Sequence, residues 1–171
     1  YIVGVSLSNG EFSEYYPIQH PDTTPEGRQR NMEYLKDQLG SSNRKVFANG
    51  LYDLDWLVNW GRMHVGGVFE DIQIAEPLLD EYRKSYSLDN LSKDYLGMGK
   101  LTDGTINYAK QMGWKLSSKG GAGHLLWQMP QSVVAPYAAM DAEETVKIFK
   151  IQEIKLKEQN LEEIYALEMS L

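Results

Sequence analysis

FANGLYDLDWL, residues 47–57, sets two aspartates, Asp53 and Asp55, among side chains that favour burial. Asn49 and Gly50 read as the end of a strand, and Tyr52, Asp53, Trp56 and Leu57 as the start of a helix. The stretch therefore predicts a strand-to-helix junction with Asp53 at the carboxyl edge of a sheet, where α/β folds gather their sites. Trp56 and Leu57 stand three and four residues after Asp53, so its face is expected to be the buried one, while Asp55 is expected in solvent. An ionised carboxylate on an apolar face is costly unless it is paired or binds a metal. On the residues alone, a helix-start carboxylate satisfied by backbone N–H groups and a metal-ligating one stand about level.

A second lone acid lies far along the chain in PYAAMDAEETVKIF, residues 136–149. Tyr137 and Asp141 are one helical turn apart, with Thr145 and Ile148 continuing the face, so tyrosine and carboxylate share one edge. A lysine partner for Asp141 is the bland alternative. Around these stretches, YIVGVSLS and EFSEYYPI read as strands joined by an Asn9-Gly10 hairpin turn. EGRQRNMEYLKDQLG reads as a helix with Gly40 as its C′ residue, RKVFAN and HVGGVFED as strands, and DIQIAEPLLDEYRK as helical. SLDNLSKDYLG has a serine cap and a closing glycine. From Pro130 onward the chain is expected to be helical, with Pro136 kinking or dividing the first part. Strands, then alternation, then helices predict an α/β sandwich with one mixed sheet.

The chain has 171 residues, one domain's worth, with a formal net charge of −7, no cysteine and three histidines. Disulfides and thiolate zinc sites are excluded, and a histidine-only metal cage is disfavoured. No apolar run approaches the roughly 20 residues that span a bilayer, and no signal peptide opens the chain, so a cytoplasmic protein without a membrane partner is expected. The negative charge argues against binding that rests on neutralising many DNA phosphates, but an acidic site can handle phosphates through divalent cations. Residues 104–128 carry Lys110, Lys115 and Lys119 without an acid, interleaved with Tyr108, Trp114 and Trp127. That reads more simply as a solvated loop with core aromatics than as a nucleic-acid surface. KGGAGH lacks the Gly-Lys-Ser/Thr ending of a phosphate loop, and His20 and His64 read as structural or solvated.

FANGLYDLDWL resembles the second motif, and YAAMDAEETVKIF the third, of the DnaQ-like, ribonuclease H-fold 3′–5′ exonucleases whose third motif carries tyrosine. The resemblance is closest to the proofreading domain of family A (DNA polymerase I-like) polymerases, especially phage enzymes. DIQIAEPLLDEYRKSYSLDNLSKDYLG resembles its linking helices, YIVGVSLS and YYPIQH its second and third strands, and QNLEEIYALEMSL the segment leading into the polymerase domain. The resemblance implies a ribonuclease H-like mixed sheet flanked by helices, an exonuclease domain over 1–158, and a link toward a polymerase domain over 159–171. It makes Asp53 and Asp141 metal ligands for two Mg²⁺ or Mn²⁺ ions, has Tyr137 orient the attacking water, and puts Asn49 and Tyr52 against the terminal nucleotide of a single-stranded DNA 3′ end. Hard carboxylate oxygens suit such ions, and a pair of them can assist in-line displacement that releases nucleoside monophosphates.

One departure matters. The family's first-strand Asp-x-Glu motif, which supplies two of four acidic ligands, belongs ahead of Tyr1 and is not in this sequence. The expectation is a sheet lacking its first, central strand, with unpaired edges, in a window cut from a longer polymerase. Rival readings are a catalytically silent module that binds single-stranded DNA or scaffolds the polymerase, a ribonuclease D-like RNA exonuclease, and an α/β protein whose acids are merely satisfied. A monomer is the expected state, in bacterial or phage-infected host cytoplasm.

Overall fold

The computed structural model describes residues 1–99 and 101–170. Strands β1 (Gly4–Ser8) and β2 (Ser13–Pro17) pair antiparallel, with Gly4 opposite Pro17 and Ser8 opposite Ser13. The connection is longer than the two-residue turn expected from Asn9-Gly10. Asn9 Oδ1 accepts from the backbone N–H groups of Glu11 (2.9 Å) and Phe12 (2.8 Å), and Gly10 adopts a φ of 91°. A side chain that captures two backbone donors competes with the ladder, so Glu11 and Phe12 stay outside it.

Helix α1 (Pro25–Gly40) starts as its sequence dictates, with proline in the first position and Thr24 Oγ1 accepting from Gly27 N at 3.0 Å. Leu35 and Leu39, four apart, form its buried face. Gly40 is the last helical residue rather than the C′ residue, because Ser41 turns the chain straight into extended backbone. Strands β3 (Lys45–Phe47) and β4 (Phe69–Asp71) run parallel, Phe47 opposite Asp71. The expected strand HVGGVFED is thus cut to its end. Gly67 takes a φ of 90° beside Asn43, where an added Cβ would meet the Asn43 carbonyl at 2.1 Å, so the chain there is a glycine turn.

The expected single mixed sheet is corrected. Both pairing senses occur, but in two separate two-stranded sheets, β1–β2 and β3–β4, and among the described residues no ladder joins them. Between β3 and β4 lie helix α2 (Gly50–Asp55) and a wider π-type turn, Trp56–Trp60. Then come α3 (Ile72–Leu79), α4 (Leu88–Leu96), α5 (Asp103–Gln111), a 3₁₀ turn at Gly123–Gln128, α6 (Gln131–Glu158) and α7 (Glu162–Ser170). Ser87 and Gly97 bound α4 as predicted, Gly97 with a φ of 66°. Helix α5 falls where a solvated loop was expected, since Thr105 and Ala109, four apart, give it a buried side. Tyr108 and Trp114 meet edge to face at 5.8 Å beside that side, which makes them core aromatics.

Pro136 neither divides nor ends α6, which runs continuously over 28 residues. The proline sits in the second turn, where its missing N–H removes one helical bond, that to the Ser132 carbonyl, and Ser132 is an exposed residue. The helix is the spine of the fold. It packs against β1, β2 and β3 on one side and against α3, α4, α5 and α7 along its length. Apolar clusters form around it, one with Ile148 and Phe149 against Ile72 and Leu91, another with Val134 against Ala109 and Met129. Among the described residues no helix is long and apolar enough to cross a membrane.

Candidate active site

Strand β3 delivers the chain to Asn49, which adopts the left-handed conformation at φ 70°, ψ 55°. Asparagine tolerates that region better than other side-chain-bearing residues. The next position must be glycine, because a Cβ on Gly50 would come within 2.9 Å of Phe47 Cβ and Cγ. The sharp turn aims α2 out of the sheet's carboxyl edge, as the sequence predicts. Tyr52 is 62% exposed and meets Trp56 edge to face at 6.4 Å, offering an aromatic face to solvent.

Asp53 is exposed rather than buried, a correction to the expected orientation. The buried members of this segment are Gly50 and Leu57. The π-type turn that begins at Trp56 departs from the 3.6-residue period on which the expectation rested. The carboxylate is nevertheless crowded by protein atoms. That desolvation, with the negative charge of Asp71 as a smaller contribution, raises its pKa to about 6. Asp55 is solvated as expected and accepts from Asn59 Nδ2 at 2.6 Å.

Asp71 is the residue that sequence reasoning missed. It ends β4 beside Phe47, is 4% exposed, and its carboxylate accepts from three backbone N–H groups. Those are Asn49 N (3.2 Å), Gly50 N (2.5 Å) and Gln73 N (2.7 Å). The sequence signal was an acid directly before the helical IQIAEPLL, a helix-cap pattern. Nothing local revealed the second helix that it also reaches.

On α6, Tyr137 hydrogen-bonds Asp141. Burial, then the adjacent negative charge, pushes the tyrosine pKa well above its ordinary value, so the hydroxyl stays protonated and acts as a donor rather than a base. Thr145 Oγ1 donates to the Asp141 carbonyl at 2.7 Å, continuing the predicted face. Glu144, also passed over in the sequence, is buried one turn beyond Asp141.

The structure thus brings Asn49, Tyr52 and Asp53 together at one junction and joins Tyr137 to Asp141 on a helix that packs against β3, the strand feeding that junction. Among the described residues no group of three or more His, Asp or Glu side chains is placed to hold a metal ion. Asp53 has the chemistry of a cation ligand, an anionic oxygen donor held in unfavourable surroundings beside a second carboxylate.

Residues 2–157 match the family model described as 3′–5′ exonuclease. The chain belongs to this family, the 3′–5′ exonuclease domain of A-type DNA polymerases. It is 32% identical over 170 residues to DNA polymerase DpoZ of Salmonella phage PMBT28, covering 99% of this chain and 26% of that protein. Identity to the DNA-directed DNA polymerase of Pseudomonas phage M6 is 31% over 180 residues, covering 100% and 25%. DNA polymerase DpoZ of Acinetobacter phage SH-Ab 15497 is 30% identical over 170 residues, covering 99% and 26%. The chain spans about a quarter of the length of these curated relatives.

Proposed function

We infer that this chain is a proofreading 3′–5′ exonuclease domain that removes the terminal nucleotide of a single-stranded DNA 3′ end as a nucleoside monophosphate. The observation that carries the reading is the Tyr137–Asp141 couple on α6, a helix that packs against β3, the strand leading to the junction that bears Asp53, in a chain of exonuclease family. In this reading Asp53 and Asp141 bind Mg²⁺ or Mn²⁺, two ions in the complete site. Such ions lower the pKa of a bound water and offset charge on the departing 3′ oxygen.

The chain's own residues do the rest. The protonated Tyr137 hydroxyl orients the attacking water by donating to it or by steadying Asp141. Exposed Tyr52 stacks on the terminal nucleotide, and the left-handed turn presents Asn49 beside it. A ribonuclease H-like fold is read from the α/β organisation, two small sheets of opposite pairing sense with α6 packed against β1, β2 and β3. Residues 159–171 are read as leading toward a polymerase domain, the partner suggested by relatives that are phage DNA polymerases, and the reading has the protein act as a monomer in the cytoplasm of an infected bacterium.

The test is digestion of a 5′-labelled single-stranded DNA by the full-length protein carrying this sequence, with Mn²⁺, beside Asp141→Ala. The expected result is stepwise shortening from the 3′ end and a loss of about 100-fold or more in the variant. Equal cutting by both, or none by either, overturns the reading. An RNA substrate run in parallel separates the ribonuclease D-like alternative.

A further inference from the structure

We propose that Asp71 is a positioning residue, whose buried carboxylate clamps the Asn49–Gly50 turn and thereby sets where Asp53 stands. The inference rests on the exonuclease reading for its catalytic consequence, while the clamp itself rests on geometry alone.

Asp71 lies in β4, directly opposite Phe47 in the parallel ladder. Its Oδ1 accepts from Gln73 N at 2.7 Å, which is the cap of α3. A cap needs no more than that one oxygen. The second oxygen, Oδ2, instead takes the Gly50 N–H at 2.5 Å, and Oδ1 is shared with Asn49 N at 3.2 Å. One carboxylate therefore serves the starts of two helices, α3 and α2. Helix α2 has no side-chain cap of its own from Asn49, so this bond from the neighbouring strand takes the place of one. The backbone of Asp71 is tied as well, its N–H donating to Tyr165 Oη of α7 at 3.0 Å. The clamp is anchored before it grips.

Only an ionised carboxyl fits the role. It accepts on both oxygens, whereas an asparagine in the same rotamer would turn its NH₂ toward a backbone donor and lose one side of the grip. The arrangement also carries an electrostatic cost, since the charge of Asp71 lies near that of Asp53. Serine would cap α3 without that cost, and could not reach Gly50. A neutral cap would serve α3, so what the carboxylate adds is its second oxygen's bond to Gly50 N, which makes the turn its second load. Asp53 is three residues beyond Gly50 on the same short helix, so slack at Gly50 is passed directly to the Asp53 carboxylate.

The experiment uses the full-length protein as wild type, Asp71→Asn, Asp71→Ser, Asp141→Ala and Glu76→Gln, the last destabilising the fold away from the turn. Amide hydrogen exchange is read at Asn49 and Gly50, and kcat and KM are measured for 3′ excision of single-stranded DNA. Breaking the clamp should speed exchange at those two amides about 10-fold or more while the amides of α6 keep their protection. The kcat of Asp71→Asn should fall about 10-fold to 100-fold with KM for DNA changed less than about 3-fold. Asp71→Ser, which keeps the α3 cap, should match it and stands in if Asp71→Asn does not fold. Unchanged exchange at Asn49 and Gly50 overturns the clamp. A kcat loss no greater than that of Glu76→Gln at equal loss of Tm overturns the positioning role. A wild type that does not cut, or an Asp141→Ala that cuts as well as wild type, overturns the exonuclease reading instead, and the exchange arm then decides the clamp by itself.

Discussion

His20 illustrates how a single side chain can be read from its partners. Its Nδ1 lies 2.8 Å from the Met129 carbonyl, an acceptor only, so Nδ1 carries the proton. Nε2, 2.6 Å from the Tyr15 hydroxyl, is then the acceptor of a neutral ring. Burial lowers the His20 pKa below its ordinary 6.5, and the Met129 bond and the nearby Asp22 charge oppose that shift without reversing it. The folded state thus resists protonation that the unfolded state accepts. Stability is fully present above pH 6.5 and declines as pH falls from there toward the lowered folded value, by at most about 1.4 kcal/mol per pH unit from this group. Thermal melts of wild type and His20→Asn should converge as pH is lowered from 7 to 5, and parallel curves would refute the assignment. At Asp53 the corresponding test is ligand-linked. Mn²⁺ should raise the Tm of the wild type and raise that of Asp53→Asn less, because only the ionised acid gains from a bound cation. Sequence pattern alone pointed to both aspartates and to Tyr137. It did not reveal that Asp53 faces solvent, because the π-type turn after it breaks the helical period from which its face was inferred.

At the scale of elements, the least expected feature is a buried polar knot that joins α3, α4 and α6. Glu76, fully buried, accepts from Tyr95 Oη at 2.9 Å and from Gln152 Nε2 at 2.7 Å, with Arg83 Nε 2.8 Å from its other oxygen. Gln152 also donates to the Ile72 carbonyl at 3.0 Å, so the knot fastens backbone as well as side chains. Removing Glu76 takes the acceptor from Tyr95 Oη and the buried counter-charge from Arg83, while Gln152 keeps its bond to Ile72 and Arg83 its pairing with Asp94. Glu76→Ala should therefore cost about 3–5 kcal/mol of unfolding free energy, measured by urea denaturation, and a loss under about 1 kcal/mol would mean the knot adds little. Helix ends were legible where a side chain or glycine supplies the cap locally, as at Ser87 and Gly97. They were misread where the deciding contact lies outside the segment. Gly40 carries no positive φ, α5 is stabilised by burying Ala109, and α6 runs on through Pro136 while packed along its length against strands and helices.

For the molecule as a whole, α6 and α7 decide which surfaces meet. Ile148 on α6 has no exposed surface, and Ile148→Ala should lower stability by about 2–5 kcal/mol, seen as a shift in the urea midpoint with an unchanged slope. Helix α7 is more than a connection, since Tyr165 is buried in the same cluster and its hydroxyl receives the Asp71 N–H. Tyr165→Phe should cost about 1–3 kcal/mol by leaving that donor unsatisfied, and a neutral substitution would show that the bond is dispensable. What the sequence determined by itself is local: the strand-to-helix junction at Asn49-Gly50, the one-turn spacing of Tyr137 and Asp141, most caps, and the exonuclease family those motifs indicate. The junction, the spacing and the caps follow from backbone sterics and helical period, which act over a few residues, and the family from the resemblance of the motifs. Tertiary structure alone decided the division into two small sheets, the exposure of Asp53 and the reach of Asp71 to the turn. Each depends on groups brought together from distant parts of the chain, and packing rather than local propensity selects which of those groups meet.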